Sequence, residues 1–217
     1  MWSRSGVPHG CIILLREVLV TDEYTTISKG CRREIKVQGS RFIADAMPAE
    51  DASAAENFIA SIRREFHDAT HHCYAYRLQG DEVRSNDDGE PGGTAGRPIL
   101  GSIDHDGLVG VIVVVTRYFG GVKLGPGGLA RSYAEAARLA LSGAPRERRY
   151  RTETLLIAFP HAVTGTVMHL LEQTGAAIMG TSYDEEAHLT VEIRRSKAQE
   201  FRRAVIEQTG GKAKLSA

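Results

Sequence analysis

Two hydrophobic patterns alternate in the first half of the chain. Short apolar segments are followed by a segment in which apolar residues recur every three or four positions, and short apolar segments then return. Val37–Ala46 is short and apolar, which predicts a strand that ends at Pro48. Residues 49–53 have the composition of a helix start, and the apolar residues beyond them recur at helical spacing. We therefore expect an amphipathic helix. Its predicted apolar stripe consists of Ala55, Phe58, Ile59, Ile62 and Phe66.

Two further strands and two glycine-rich loops are predicted in the middle of the chain. His72–Leu78 alternates in polarity and is aromatic, which predicts a strand. Residues 109–116 (VGVIVVVT) form a continuous β-branched run, typical of a strand buried on both faces. Residues 84–98 and Arg117–Gly128 predict long loops because glycine and other turn-forming residues are dense there. Loops of this length inside a compact domain are usually functional.

A helix and then a second domain are predicted from the remaining pattern. Leu129–Leu141 carries one apolar stripe, and Gly143 ends the predicted helix. Residues 146–151 are charged and predict a linker, which places a domain boundary near residue 150. The elements beyond it follow the order β-α-β-β-α-β of a ferredoxin-like domain. Strands are predicted at 154–159, 177–183, 188–193 and after residue 211, with helices at 163–173 and 197–208.

Length, composition and charge indicate a globular protein without an overall basic character. The chain has 217 residues, enough for one or two domains, and 42% of them are hydrophobic, so it can bury a core. The 27 basic and 27 acidic residues balance. This balance argues against general electrostatic capture of nucleic acid but is compatible with a local basic face.

Cysteine usage and the amino-terminal segment indicate the compartment. Three widely spaced cysteines and the absence of a CxxC motif argue against a disulfide framework, so we expect a cytoplasmic protein. No stretch of 18 apolar residues occurs, and we expect no membrane association. Residues 1–20 lie outside the predicted domains. We interpret them as a disordered tail or an extension upstream of the native start.

The second glycine-rich loop is the strongest candidate for binding. Glycines let backbone N–H groups approach an anion, and the helix that follows adds free donors and a positive dipole end. Arg117, Lys123 and Arg131 supply positive charge around it. The loop matches neither GxxxxGK[ST] nor GxGxxG. The alternative is a tight turn that serves only close helix–strand packing.

The first loop and the histidines before it allow both chemical and structural interpretations. Asp87, Asp88 and Glu90 could hold Mg²⁺ or act as acid and base. They could equally form a polar turn with one carboxylate paired to Arg97 or Arg117. His67 and His71 have the spacing of a metal motif, but a helix end is the competing interpretation. Five aromatic residues could stack on bases if they are exposed, namely Tyr74, Tyr76, Tyr118, Phe119 and Tyr133.

Several long strings of residues closely resemble the IMPACT/YigZ family, which joins a UPF0029 amino-terminal domain to a DUF1949-type carboxy-terminal domain. The resemblance covers about residues 22–217 and leaves the first twenty unmatched. The strings of the amino-terminal part lie at 71–76, 84–91, 93–100, 113–125 and 127–129, and those of the carboxy-terminal part at 159–160, 170–172 and 209–211.

This resemblance implies an α+β protein of two domains. Residues 21–148 would have the ribosomal protein S5 domain 2-like fold, and residues 152–217 the ferredoxin-like fold. The pair is similar to the fourth and fifth domains of elongation factor G, which meet RNA or the ribosome. Eukaryotic relatives restrain a starvation-activated kinase but carry an extra RWD domain that this chain lacks. Some members have been labelled proline dipeptidases, yet this sequence has no complete metal set or nucleophile signature.

The favoured functional prediction is a non-enzymatic protein that binds RNA or the ribosome in translation regulation or stress response. An enzyme or binding protein for a phosphorylated small molecule, using the same loop and the acidic cluster, is the alternative. A regulator that binds another protein stays open, as does the oligomeric state. No catalytic residue, metal or cofactor is assigned. The predicted phosphate-binding residues are Arg97, Arg117, Tyr118, Lys123, Gly125, Gly127, Gly128 and Arg131.

Overall fold

The computed structural model describes residues 22–216, which divide into one unit at 23–153 and another at 154–216. The prediction for residues 1–20 lies outside the described residues. The strands of the first unit are β1 (Glu23–Ile27), β2 (Cys31–Val37), β3 (Ser40–Pro48), β4 (His71–Arg77), β5 (Val83–Asn86), β6 (Val111–Tyr118) and β7 (Arg146–Tyr150). Its helices are α1 (Ala52–Glu65), α2 (Gly96–His105) and α3 (Gly125–Ser142).

The β-branched run is the central strand of the five-stranded sheet, whose order is β2-β3-β6-β4-β5. Residues 111–117 of β6 are all buried because helices cover both faces of the sheet. Helix α1 packs on one face, and α2 and α3 pack on the other. Asp51 caps α1 by accepting a hydrogen bond from the Ala54 N–H at 2.7 Å, as the predicted capping segment requires.

Four sequence predictions are wrong in this unit, and one of them is the loop at Arg117–Gly128, which contains the end of β6 and the first turn of α3. Val37–Ala46 is not one strand, because Gln38 and Gly39 adopt positive φ and turn the chain between β2 and β3. The predicted loop at 84–98 contains the end of β5 and the start of α2. The predicted linker at 146–151 contains β7, which pairs antiparallel with β1 in a two-stranded ribbon. The ribbon leaves three of the five residues of β7 exposed, so charged residues are tolerated there.

The second unit has the predicted element order and a four-stranded antiparallel sheet. The elements are β8 (Thr152–Phe159), α4 (Thr164–Thr174), β9 (Ala177–Tyr183), β10 (Ala187–Arg194), α5 (Arg195–Gln208) and β11 (Lys214–Ser216). The strand order is β11-β8-β10-β9, and α4 ends at Gly175, which adopts the left-handed conformation. Alternate residues of β8, such as Leu155 and Ile157, face the buried core.

Within residues 22–216, no helix combines the length and the apolar character that crossing a bilayer requires.

Candidate anion-binding site

The two glycine-rich segments meet in the first unit and enclose a pocket of about 220 Å³, which we name the loop pocket. The first segment contributes Glu90 and Pro91. The second contributes Arg117, Phe119 and residues 123–126, which lead into α3. Apolar side chains form much of the wall, and charged groups stand at its floor and mouth. Such a combination of apolar walls with few polar groups is typical of a ligand site.

An ion pair lies at the floor of the loop pocket. The Arg117 Nη1 donates to Glu90 Oε1 at 2.6 Å, and the Tyr133 hydroxyl donates to the same oxygen at 2.7 Å. The exposed fractions of the two side chains are 6% for Arg117 and 3% for Glu90. Most of the positive charge of Arg117 is therefore balanced inside the protein. This is the pairing that the sequence left open as a structural alternative.

Arg117 keeps one donor free of protein partners. Its Nη2 donates to the Ser40 hydroxyl at 3.3 Å, but its buried Nε has no hydrogen-bond partner within residues 22–216. The guanidinium carbon lies 5.4 Å from the ring centroid of Phe42 and 5.5 Å from that of Phe119. A buried donor without a partner is costly to the folded protein, and a ligand reaches this nitrogen only when neighbouring atoms move, because almost none of it is exposed.

Strand alternation places Arg117 in the interior, and this is a signal that sequence reasoning missed. Val113, Val115 and Arg117 lie on the same face of β6, because successive side chains point to opposite faces. The first two belong to the core beneath α2 and α3. Treating residue 117 as the start of a loop hid this pattern. Ser40 was also missed, since only the pairing of β3 with β6 brings it close.

The amino end of α3 is the second component of the site. Leu124 occupies the cap position, and its side chain makes no capping bond to the N–H groups of the first turn. Gly125, Pro126 and Gly127 are exposed. The positive end of an 18-residue helix therefore faces solvent at the mouth of the loop pocket.

The other predicted cations differ in position. Lys123 is exposed and lines the loop pocket. Arg131 is exposed one turn into α3, and its Nη1 would lie 3.5 Å from a Cβ placed at Gly127. Gly128 is half-buried against Leu124. Lys123 and the glycines 125 and 127 thus share one exposed region with Arg131.

Arg97 and Tyr118 lie outside the lining of the loop pocket. Arg97 is exposed in the first turn of α2, beside Gly93. The Tyr118 hydroxyl donates to Asp68 at 2.7 Å, and the guanidinium carbon of Arg41 lies 4.8 Å from the centre of its ring. Tyr118 follows Arg117 in β6 and therefore points to the opposite face of the sheet.

The acidic cluster is occupied by structural contacts. The Asp87 carboxylate accepts backbone N–H groups from Gly93, Ala95 and Gly96 at 2.8–2.9 Å. The Asp88 carboxylate pairs with Arg63 at 2.7 Å and accepts the His72 N–H at 2.7 Å. Together with the Glu90 contacts, these bonds hold all three carboxylates in the protein framework.

Substituting Asp87 tests this framework, because its carboxylate organises the start of α2. Burial alone would raise the pKa of Asp87, but the three backbone bonds outweigh burial and lower it. The stabilisation is therefore fully present above the pKa of the unfolded state, near 4, and is lost as pH falls through the lower folded value. We expect Asp87→Asn to destabilise the protein by about 1–2 kcal/mol at neutral pH.

Urea unfolding of both proteins from neutral to acidic pH measures this effect. The difference between wild type and Asp87→Asn should begin to shrink below about pH 4, where Asp87 of the unfolded state becomes protonated, and should vanish once the pH falls below the lower pKa of the folded state. A difference that stays constant over this range would contradict the assignment. Asp88→Asn is not a suitable control, since Asp88 also pairs with Arg63.

The histidine segment also has structural contacts. His71 Nδ1 lies 2.8 Å from the Asp88 carbonyl oxygen, and His71 Nε2 lies 3.9 Å from Glu90 Oε1. His72 Nδ1 lies 3.2 Å from the Thr116 hydroxyl, and burial lowers the pKa of His72. Within residues 22–216, no group of three His, Cys, Asp or Glu side chains is placed to hold a metal ion.

Two family profiles match the chain. The Impact N-terminal domain matches residues 38–141, and a domain of unknown function, DUF1949, matches residues 157–212. The first covers the glycine-rich segments and the loop pocket. The second covers most of the β-α-β-β-α-β unit.

Curated relatives and a solved structure match over most of their length. The IMPACT family member YigZ of Escherichia coli is 33% identical over 187 residues, which span 84% of this chain and 91% of that protein. The member YvyE of Bacillus subtilis is 30% identical over 194 residues, spanning 88% and 89%. A crystal structure described as that of a hypothetical protein is 28% identical, with a TM-score of 0.69 over 91% of this chain and 98% of that one.

Proposed function

The chain belongs to the IMPACT family, and for this member we propose a non-enzymatic, RNA-binding function in which a backbone phosphate sits at the mouth of the loop pocket. The observation that carries the proposal is the uncapped amino end of α3 beside exposed Lys123 and Arg131. Backbone donors, a positive helix end and two exposed cations are groups that bind phosphate.

The acidic residues favour binding over catalysis. A general base needs a carboxylate or imidazole that can reach a substrate proton. Asp87, Asp88 and Glu90 instead accept hydrogen bonds from the protein itself. A peptidase or Mg²⁺-dependent reaction at these residues would first have to break those bonds.

The apolar walls of the loop pocket support a second candidate, a phosphorylated small molecule. Phe119, Leu124 and Pro126 would contact its organic part, while the phosphate would occupy the same helix end. The pocket volume of about 220 Å³ suits one compact group rather than a long chain. The two candidates differ in one expected property. The affinity of the protein for RNA should rise with the number of phosphates bound, whereas a small molecule offers only its own phosphate.

Cellular role, partner and fold names complete the proposal. We place the protein in the cytoplasm, with RNA or the ribosome as its partner and regulation of translation or the stress response as its role. We assign the ribosomal protein S5 domain 2-like fold to the first unit and the ferredoxin-like fold to the second. The strand order β11-β8-β10-β9 supports the second assignment.

A double substitution of the exposed cations tests the proposed function. We expect Lys123→Gln with Arg131→Gln to weaken binding of single-stranded RNA about tenfold, because phosphate contacts and their counterion release are lost. The plot of log affinity against log salt should become shallower by about 0.7 for each lost contact. Fluorescence anisotropy with a labelled RNA strand, from about 50 to about 200 mM salt, measures both quantities.

Arg138→Gln is the matched control. Arg138 is exposed on the same helix two turns beyond Arg131, away from the amino end, and should leave both affinity and salt slope unchanged. RNA binding that does not respond to salt, or that survives the double substitution unchanged, overturns the proposed function. Binding of a sugar phosphate or mononucleotide with no gain on lengthening the strand favours the second candidate.

A further inference from the structure

We infer that the loop pocket receives an unstacked nucleobase of single-stranded RNA. This inference rests on the proposed function and extends it from the phosphate backbone to the base. A phosphate at the pocket mouth would neither fill the space behind it nor use its apolar walls. Single-stranded RNA is commonly recognised through splayed bases that stack on aromatic rings and hydrogen-bond through their edges. The loop pocket offers both kinds of contact.

Phe119 is the stacking platform. Tyr74, Tyr76 and Tyr133 are buried, and Tyr118 faces the other side of the sheet in a bond to Asp68. Phe119 has 47% of its surface exposed and lines the loop pocket. An aromatic ring that is half-exposed beside a cationic site can stack on a base without a conformational change. Stacking buries the exposed apolar surface of the ring, which favours binding.

The pocket floor supplies groups for the edge of the base. Arg117 and Glu90 both line the loop pocket, so a guanidinium N–H can donate to a ring nitrogen or carbonyl oxygen, and the Glu90 carboxylate can accept from an amino group. The two side chains are already held in place by their mutual bond and by Tyr133. Because they are fixed before the ligand arrives, little conformational entropy is lost on binding.

The base and its phosphate would contact different walls of one pocket. Phe119, Lys123 and the first turn of α3 all line the loop pocket. Consecutive parts of one nucleotide could therefore contact the aromatic ring and the helix end together. This arrangement explains why an apolar cavity adjoins an anion site in the same loop.

Removing the ring or the base tests the inference. We expect the wild-type protein to bind an oligocytidylate about tenfold more tightly than a strand of equal length without bases. Phe119→Ala should abolish most of this difference while leaving the salt slope unchanged, because the phosphate contacts remain. Phe119→Tyr should retain the difference. Val122→Ala is the matched control, since Val122 is 49% exposed in the same loop but does not line the pocket.

The edge contacts have a separate test. At C4 cytosine carries an amino group and uracil a carbonyl oxygen, so a carboxylate that contacts this position accepts a hydrogen bond from cytosine and is repelled by uracil. Oligocytidylate should bind several-fold more tightly than oligouridylate, and the Lys123→Gln, Arg131→Gln protein should keep this ratio. Equal binding of the two strands, or tighter binding of oligouridylate, overturns the contact to Glu90.

The outcomes separate the inference from the proposed function. If Phe119→Ala binds oligocytidylate as tightly as wild type while the cation variant binds weakly, the base pocket is wrong and phosphate binding stands. If free cytidine monophosphate binds as tightly as the strand, the ligand is a nucleotide and the RNA assignment is overturned. If no strand binds in a salt-dependent manner, both proposals fail.

Discussion

Replacing Glu90 with alanine is expected to lower the free energy of unfolding by about 3–5 kcal/mol. The substitution leaves the Arg117 guanidinium buried without its carboxylate partner, in a position where only 6% of the side chain is exposed. It also removes the acceptor of the Tyr133 hydroxyl. Urea unfolding followed by circular dichroism measures the loss.

A double substitution distinguishes the lost charge partner from lost packing. Arg117→Met with Glu90→Leu removes both charges and keeps apolar volume, so we expect it to recover most of the stability that Glu90→Ala loses. Tyr133 would still lack one acceptor, and its hydroxyl also contacts the Cys73 thiol at 3.4 Å. A double variant as unstable as the single one would show that the ion pair is not the cause.

Alanine at Gly120 is expected to destabilise the protein by about 3 kcal/mol. A Cβ at this position would overlap the backbone of Gly39 and Ser40, which form the end of the turn between β2 and β3. Backbone atoms cannot move aside as a flexible side chain can. The Gly120 N–H also donates to the Ser40 hydroxyl at 3.2 Å, and displacement would break this bond.

Gly92→Ala provides the comparison for Gly120. No heavy atom lies within 4 Å of a Cβ at Gly92, and its φ is not in the left-handed region, so the change should stay within about 0.5 kcal/mol. Thermal and urea unfolding of both variants measure the contrast. If Gly120→Ala is as stable as Gly92→Ala, the turn does not pack against Gly120 as described.

The elements with a strong periodic pattern could be predicted from the sequence. The spacing of Ala55, Ile59 and Ile62 identified α1, and the β-branched run identified the central strand β6. The second unit followed its predicted order because each of its helices ends near a glycine. Such local signals need no knowledge of the tertiary structure.

Helix α2 and strand β7 could not be predicted for physical reasons. Helix α2 begins with Gly96, Arg97 and Pro98, a composition typical of loops, and its start is stabilised by Asp87 from the preceding segment. Strand β7 is highly charged and is held by pairing with β1, more than a hundred residues earlier. In both cases the stabilising partner lies outside the element itself, so the pattern within the element does not reveal it.

The candidate site was predictable in part. The density of glycine and the basic residues pointed to residues 117–128, where the loop pocket and the exposed end of α3 lie. The sequence could not show that Arg117 forms a buried ion pair with Glu90. That pairing requires the register of β6 against β3 and the approach of the first loop.

The ribbon formed by β1 and β7 has a consequence for the architecture of the first unit. Glu23 pairs with Tyr150, and Ile27 pairs with Arg146, so the chain enters and leaves this unit at neighbouring positions. Adjacent ends are the condition under which circular permutation and insertion into a host protein are tolerated. Other domains could therefore be fused to either end of the first unit, or the unit inserted into another protein, without a change in the strand order of its sheet.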